Sequence, residues 1–417
     1  MNRIKNIDFL RILFALLIAF HHFTNTGAIK NSADIFVRSL PQNTFNLPFI
    51  VDFFFIISGF FLIISWKKQP TIAFVKNKFS RLFPLMLLYL ALIRLWKFLG
   101  ITDYSFRESV FSLLLLDNVG LSIHNSGVAW FISAYFVTIC FYYYLLKNFN
   151  SKNVQLAIFL LIYFSYAFLV HRQNGNISGT NMTYGYIFNV GMLRALAGIG
   201  IGYFIGLWYR QYNYIEDTPR QKIIYSILEA CSLSYMIYFL LIRNPNLNSL
   251  LYVMTFCVLF TLFLLNKGII SQFFNNNISV ICGRYALAVY MIHEPVLRIT
   301  RPLIFDKYSQ LVTDHIWYMT GVYITIVAVS AVIAYHFVEI PGTKMIKKLL
   351  FPKEESTATA GNLEKMCIRD RSRDSKTFWH RQNYSLYLFK TLQRKEHPCL
   401  KFYFCFAVRL RSPLSLY

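Results

Sequence analysis

Acidic residues are scarce in this chain. Asp and Glu number 19 among 417 residues, and charged residues of both signs make up 15%, against about 25% in soluble globular domains. That shortage, beside a hydrophobic content of 56%, excludes an ordinary soluble enzyme. The seven cysteines form no CxxC pair and show no Cys/His ligand spacing, which argues against a zinc module and a disulfide framework; neither a metal nor a permanently bound cofactor is expected. No motif for reading RNA or DNA accompanies the net charge of +23, so a nucleic-acid partner is not expected. The first apolar segment follows Arg3 and Lys5, but Thr24-Asn25-Thr26-Gly27 behind it is no small-residue cleavage site. It reads as an uncleaved helix, not a signal peptide. No repeat is present apart from Gly198, Gly202 and Gly206, four apart in one span; that spacing predicts a close helix–helix contact.

What is there is a series of apolar stretches: Phe9–Thr26, Phe49–Ser65, Leu82–Leu99, Gly127–Leu146, Val154–Val170, Ile187–Tyr209, Ile223–Ile242, Ser249–Leu265, Ala286–Ile304 and Ile316–Val338. By length they predict an all-α, polytopic membrane protein of about ten transmembrane helices. Phe111–Leu116 is too short to cross and predicts a re-entrant or interfacial turn. With the N-terminus in the cytoplasm, Lys and Arg are in roughly threefold excess in the inner connections, among them Lys67, Lys68, Lys76, Lys78 and Arg81. An even count returns the C-terminus to the same side. Two regions follow: a membrane domain over 5–346 and a tail over 353–417 with no spanning run. The tail string Cys367-Ile368-Arg369-Asp370-Arg371-Ser372 looks like translated sequencing-adapter DNA. Residues from about Met366 onward therefore read as a sequence artefact, the alternative being a disordered basic tail at the inner leaflet.

Arg11 and His22 carry the sharpest signal. Eleven helical residues make about three turns and rise about 16 Å, so both lie on one face of the opening helix, toward opposite sides of the bilayer. Intramembrane ionisable groups usually face a bundle interior. Histidine, with an unperturbed pKa of about 6.5, is the usual general base near neutral pH; packing is the alternative role. His21 lies about 100° away on the helix, which favours His22. Asp8, one turn before Arg11, can hold the guanidinium in place to orient a phosphate, or simply neutralise it. The basic loop Trp66–Arg81 ends with Lys78 and Arg81 one turn apart at the start of the third span, ahead of an early-turn Pro84. It serves as a topology signal or as a cytoplasmic phosphate site for a nucleotide or coenzyme A.

Ser58 and Gly59 in the second span suggest a packing notch, since no base for a serine nucleophile lies nearby in sequence. Trp130 reads as an aromatic-belt residue. Arg194, His293 and Glu294 lie deep in spans and need partners; they either join His22 in one polar cavity or neutralise one another. Glu339 and Pro341 read as a helix stop after the last span.

Several of these segments line up with one family. The chain resembles the acyltransferase-3 family of bacterial integral-membrane O-acyltransferases over Asn6 to about Ile346. Arg11 to His22 matches its R-x10-H element, and Phe53-Phe54-Phe55-Ile56-Ile57-Ser58-Gly59-Phe60 its F-F-x-x-S-G-F stretch. Lys78-Phe79-Ser80-Arg81-Leu82-Phe83-Pro84 matches the basic R-x-x-R-x-x-P element. Ala129-Trp130-Phe131-Ile132-Ser133-Ala134 resembles L-W-F-L-x-x-E, with Ala134 in the place of the glutamate. Gly283 to Pro295, with Tyr290 and His293, resembles a late-helix signature, and Phe337-Val338-Glu339-Ile340-Pro341 the closing F-V-E-x-P.

The resemblance implies an enzyme moving an acyl group, commonly acetyl, from cytoplasmic acyl-CoA to hydroxyls of an extracytoplasmic polysaccharide or lipid-linked saccharide, in the bacterial inner membrane. On that basis Lys78, Arg81 and Arg11 are expected to hold the donor phosphates and His22 to act as base. Ser58, Tyr290 and Arg194 are candidate oxyanion donors, with Asp8 and His293 in support. Trp130, Arg194 and Glu294 are candidates for holding the acceptor. No hydrolase-like domain follows the last span, so any acyl relay is expected to end within the membrane domain. A transporter or flippase for envelope precursors is the rival class, but it predicts a symmetry between halves that the sequence does not show.

Overall fold

The computed structural model describes residues 3–24, 49–98, 106–117, 127–175, 177, 183–184, 188–212, 218–241 and 249–352; the expected tail over 353–417 lies outside the described residues. In chain order the helices are α1 (Lys5–Thr24), α2 (Ile50–Ile64), α3 (Thr71–Phe98), α4 (Phe106–Leu113), α5 (Ala129–Asn148), α6 (Ser151–Arg172), α7 (Val190–Gln211), α8 (Pro219–Leu241), α9 (Leu250–Leu265), α10 (Ile269–Phe273), α11 (Asn277–Gly283), α12 (Ala286–Thr300), α13 (Ser309–Asp314), α14 (Ile316–Ala334) and α15 (Ile340–Leu350). Wider π-helical turns follow α12 at Arg301–Phe305 and α14 at Tyr335–Glu339. A two-residue strand pair, Thr183–Tyr184 with Phe188–Asn189, precedes α7.

Polar side chains mark several boundaries. Asn150, Asn189 and Asn276 each accept a hydrogen bond from a first-turn amide of α6, α7 and α11, as helix N-caps do. Asn266 closes α9 in the left-handed conformation.

Among the described residues, six helical segments have the length and composition to cross a membrane: α1, α5, α6, α7, Pro219–Leu240 of α8, and Ile316–Leu350. α2 and α9 are apolar but shorter. By this criterion the expected count of about ten is not confirmed. Each stretch read from the sequence does fall on a helix, but Arg81, Arg94 and Lys97 interrupt α3, and α12 has only 15 residues. Two local readings also change. The basic loop before the third span is mostly helix, because nothing between Thr71 and Phe83 breaks it, and Pro84 sits inside α3 instead of opening it. Glu339 and Pro341 do not stop the last helix; the π turn carries the chain on to Leu350.

The bundle leaves large apolar side chains outward on α6 and α8, including Phe159, Tyr163, Phe164, Ile223 and Ile227. Water would not tolerate such a surface, whereas lipid does. Inside, α2 and α7 pack backbone to backbone. A Cβ on Gly59 would overlap the Ile199 carbonyl, and one on Gly202 the Ile56 carbonyl. The glycine stripe thus works as its spacing predicts. Gly202→Leu is expected to separate the two helices and to cost roughly 1–3 kcal/mol or more, read as a lower unfolding temperature in detergent; an unchanged temperature would show that the contact is dispensable.

Candidate active site

α1 lies inside the bundle against α11, α12 and α14, so its polar stripe faces protein. Asp8 accepts hydrogen bonds from Arg3 and, at 3.1 Å, from Arg11. It is held where α1 crosses Gly283, whose missing side chain makes room for it. From α3, Lys78 reaches the hydroxyl of Tyr135 at 3.2 Å and lies over the ring of Phe74. Arg81 follows one turn later. Glu339, buried in the π turn, is within electrostatic reach of Arg81 and Arg11, and one of its carboxylate oxygens has no hydrogen-bond partner among the described residues.

These cations line a cavity of about 550 Å³. The helix directions set its polarity. Ser65, just past the end of α2, lies with Arg3, Arg11, Lys78 and Arg81, while Phe54, Phe131 and Tyr290 form the other end. Ser58 is on the wall between, but its hydroxyl donates to the Phe54 carbonyl at 2.7 Å. That bond lies within its own helix, and no base contacts it.

Beyond Tyr290 stand the histidines. The ring of His293 is 5.8 Å from that of Tyr290 and 5.0 Å from that of His22. His293 is fully buried; its Nδ1 lies 3.2 Å from the Val289 carbonyl, and Nε2 has no hydrogen-bond partner among the described residues. A carbonyl only accepts, so in the neutral ring Nδ1 carries the hydrogen and Nε2 presents a lone pair. Tyr323 donates to the backbone carbonyl of His293 at 2.9 Å and fixes that turn. Neither histidine lines the cavity, so the file Tyr290–His293–His22 extends it instead of enclosing it. His22, not its neighbour His21, meets His293, as the α1 periodicity predicts.

The remaining expected residues go elsewhere. Arg194 and Asp52 form a fully buried ion pair, with nitrogen to oxygen distances of 2.8 and 3.2 Å. Trp130 lies under that guanidinium at 5.4 Å and is buried. Neither Arg194 nor Trp130 lines the cavity. Glu294 follows His293 but points about 100° away. It accepts from the Tyr89 hydroxyl, the Val128 amide at 2.8 Å and Arg298. Tyr290 donates to the Val128 carbonyl at 3.1 Å. The deep charges thus divide: His293 joins His22, while Glu294 and Arg194 are neutralised separately. Ala134 is buried and brings no carboxylate to the position where the resemblance expects one.

Arg3, Tyr135 and Asp52 escaped the sequence reading. Arg3 reads in the sequence only as a charge ahead of the first apolar segment, and Tyr135 is one of 28 tyrosines. Asp52 did carry a signal: an acid in the first turn of an apolar helix is the natural complement of an arginine buried in another.

A family profile described as an acyltransferase domain matches residues 4–335, a range that takes in Arg11, His22, Lys78, Arg81, Tyr290 and His293. No curated protein and no solved structure matches the chain. The profile covers well over half of the sequence and the helices suit a bilayer, so the chain belongs to the acyltransferase-3 family and is a membrane acyltransferase.

Proposed function

We propose that this enzyme transfers an acyl group, acetyl by preference, from cytoplasmic acyl-CoA to a hydroxyl of an extracytoplasmic polysaccharide or lipid-linked envelope saccharide. In this reading the chain sits in the inner membrane with both termini in the cytoplasm, and its ten apolar stretches all cross, the shorter α2, α9 and α12 within the shelter of their neighbours. The observation that carries it is a cavity with four cations at one end and, at the other, a tyrosine against a histidine pair. Coenzyme A is an elongated polyanion with its reactive sulfur at the far tip. Phosphates held by Lys78, Arg81 and Arg11 direct the thioester toward Tyr290.

The acceptor hydroxyl gives its proton to His22 as its oxygen attacks the thioester carbonyl. The new C–O bond forms, the C–S bond breaks, and the proton passes from His22 to the departing thiolate of coenzyme A. The buried lone pair of His293 supports a hydrogen donor at the same place. Asp8 holds Arg3 and Arg11 toward the phosphates, and Arg3 joins the donor site.

Full-length protein in liposomes, given labelled acetyl-CoA and de-O-acylated envelope glycan, is expected to place the label on the glycan. Glycan carried across the bilayer without label would favour a transporter and overturn the reading. In the same assay Arg81→Ala is expected to raise the KM for acetyl-CoA by roughly tenfold or more, as loss of a charge-assisted phosphate contact does, with little change in the acceptor KM. An unchanged donor KM would remove Arg81 from the donor site.

A further inference from the structure

Three rings meet at the far end of the cavity. Phe131 lies 5.0 Å from Tyr290 and 6.2 Å from Phe54, and Phe54 lies 6.4 Å from Tyr290, centroid to centroid. Phe55 backs Phe131 at 4.7 Å. All three rings of the triangle line the cavity, and Phe131 is otherwise buried. The triangle resists being pushed apart. Tyr290 is tied through its hydroxyl to Val128, and the phenylalanines have only two side-chain torsions each and aromatic neighbours behind them. Such edge and tilted contacts are close-packed, unlike a methionine-lined wall that would adapt to its contents.

We propose that Phe131, with Phe54 and Tyr290, measures the acyl group and restricts the donor to acetyl or a chain of similar length. The proposal rests on the acyl-transfer reading above. With the phosphates among the cations, the acyl group is the leading tip of the donor, and the triangle is what it meets. The methyl of an acetyl group is accommodated beside the rings while its carbonyl faces Tyr290 and the histidines. Each added methylene is driven into a packed aromatic wall. One methylene in an apolar pocket changes discrimination by roughly 10–200-fold, so a short preference follows from a wall that does not yield. Phe131 is the ring to change, because the Tyr290 hydroxyl also holds Val128 and the Phe131 ring makes the shortest contact of the triangle, 5.0 Å to Tyr290.

The test compares acetyl-, butyryl- and hexanoyl-CoA as donors for full-length protein in liposomes, with de-O-acylated envelope glycan as acceptor. The wild-type chain is expected to favour acetyl over butyryl by roughly tenfold or more. Phe131→Ala is expected to lower that preference by a similar factor and to admit hexanoyl, read as the ratio of rates between donors whatever the acetyl rate itself. Phe131→Leu, which keeps more of the packing, carries the comparison should the alanine variant not fold; a smaller shift in the same direction is expected. Acetyl transfer with an unchanged preference in both variants would overturn the proposal and leave the acyl-transfer reading standing. So would a wild-type chain that uses butyryl as readily as acetyl. A wild-type chain that transfers no acyl group from any of the donors would overturn both.

Discussion

Substitution of His22 by alanine is expected to reduce acyl transfer by roughly a hundred- to ten-thousand-fold, the usual contribution of a positioned general base, while the protein still inserts and elutes as a single species. The second half of that expectation follows from its surroundings. His22 is half-buried and makes no hydrogen bond to another described residue, so its removal orphans no buried partner. Its neighbour supplies the control. His21→Ala alters a ring 5.5 Å away but leaves the contact with His293 intact, and activity within a few-fold of wild type is expected. Retention of more than about a tenth of activity in His22→Ala would assign the proton to another group, with the Nε2 lone pair of His293 the next to test.

Loss of Asp52 is expected to have the largest effect on stability. Its carboxylate and the Arg194 guanidinium are both completely buried and bonded twice to each other. Removing one partner leaves an uncompensated buried charge, which costs about 3–5 kcal/mol, a large share of the margin of an ordinary fold. Asp52→Ala should therefore yield little folded protein, seen as aggregation in detergent or a collapse of the unfolding temperature. The double variant Asp52→Leu with Arg194→Met replaces the pair by apolar groups and is expected to recover most of the loss. Its activity separates two roles. If Arg194 only holds α2 to α7, the double variant transfers acyl groups normally. If the folded double variant is inactive, Arg194 acts on substrate, as the sequence suggested. An Asp52→Ala protein as stable as wild type would show that the pair is not structural.

The opening helix was the most legible part of the molecule. The spacing of Arg11 and His22 encodes a shared face, helical periodicity is local, and the prediction needs no knowledge of the neighbours. The glycine stripe was readable for the same reason. Partners were not. Asp52 and Arg194 are 142 residues apart, and Glu294 finds Tyr89 and Val128 on two other helices; nothing local pairs them. Neighbours in sequence also mislead, since His293 and Glu294 diverge around α12 toward different helices. The basic segment before Arg81 looked like a loop because charge there was taken for solvent exposure, whereas long lysines run along a helix and keep their heads polar. Span counting is least secure where apolar composition persists through charged or short helices, as in α3 and α12.

Val128 has both of its backbone polar groups committed to α12: its amide to Glu294 and its carbonyl to Tyr290. The first turn of α5 is thereby riveted to α12, and Phe131, the third residue of that helix, is held beside Tyr290. Breathing of the bundle that widened one of these helices away from the other would have to tear two buried bonds at a single residue. His22 and Phe54 reach the passage from α1 and α2, helices that stand outside this clamp.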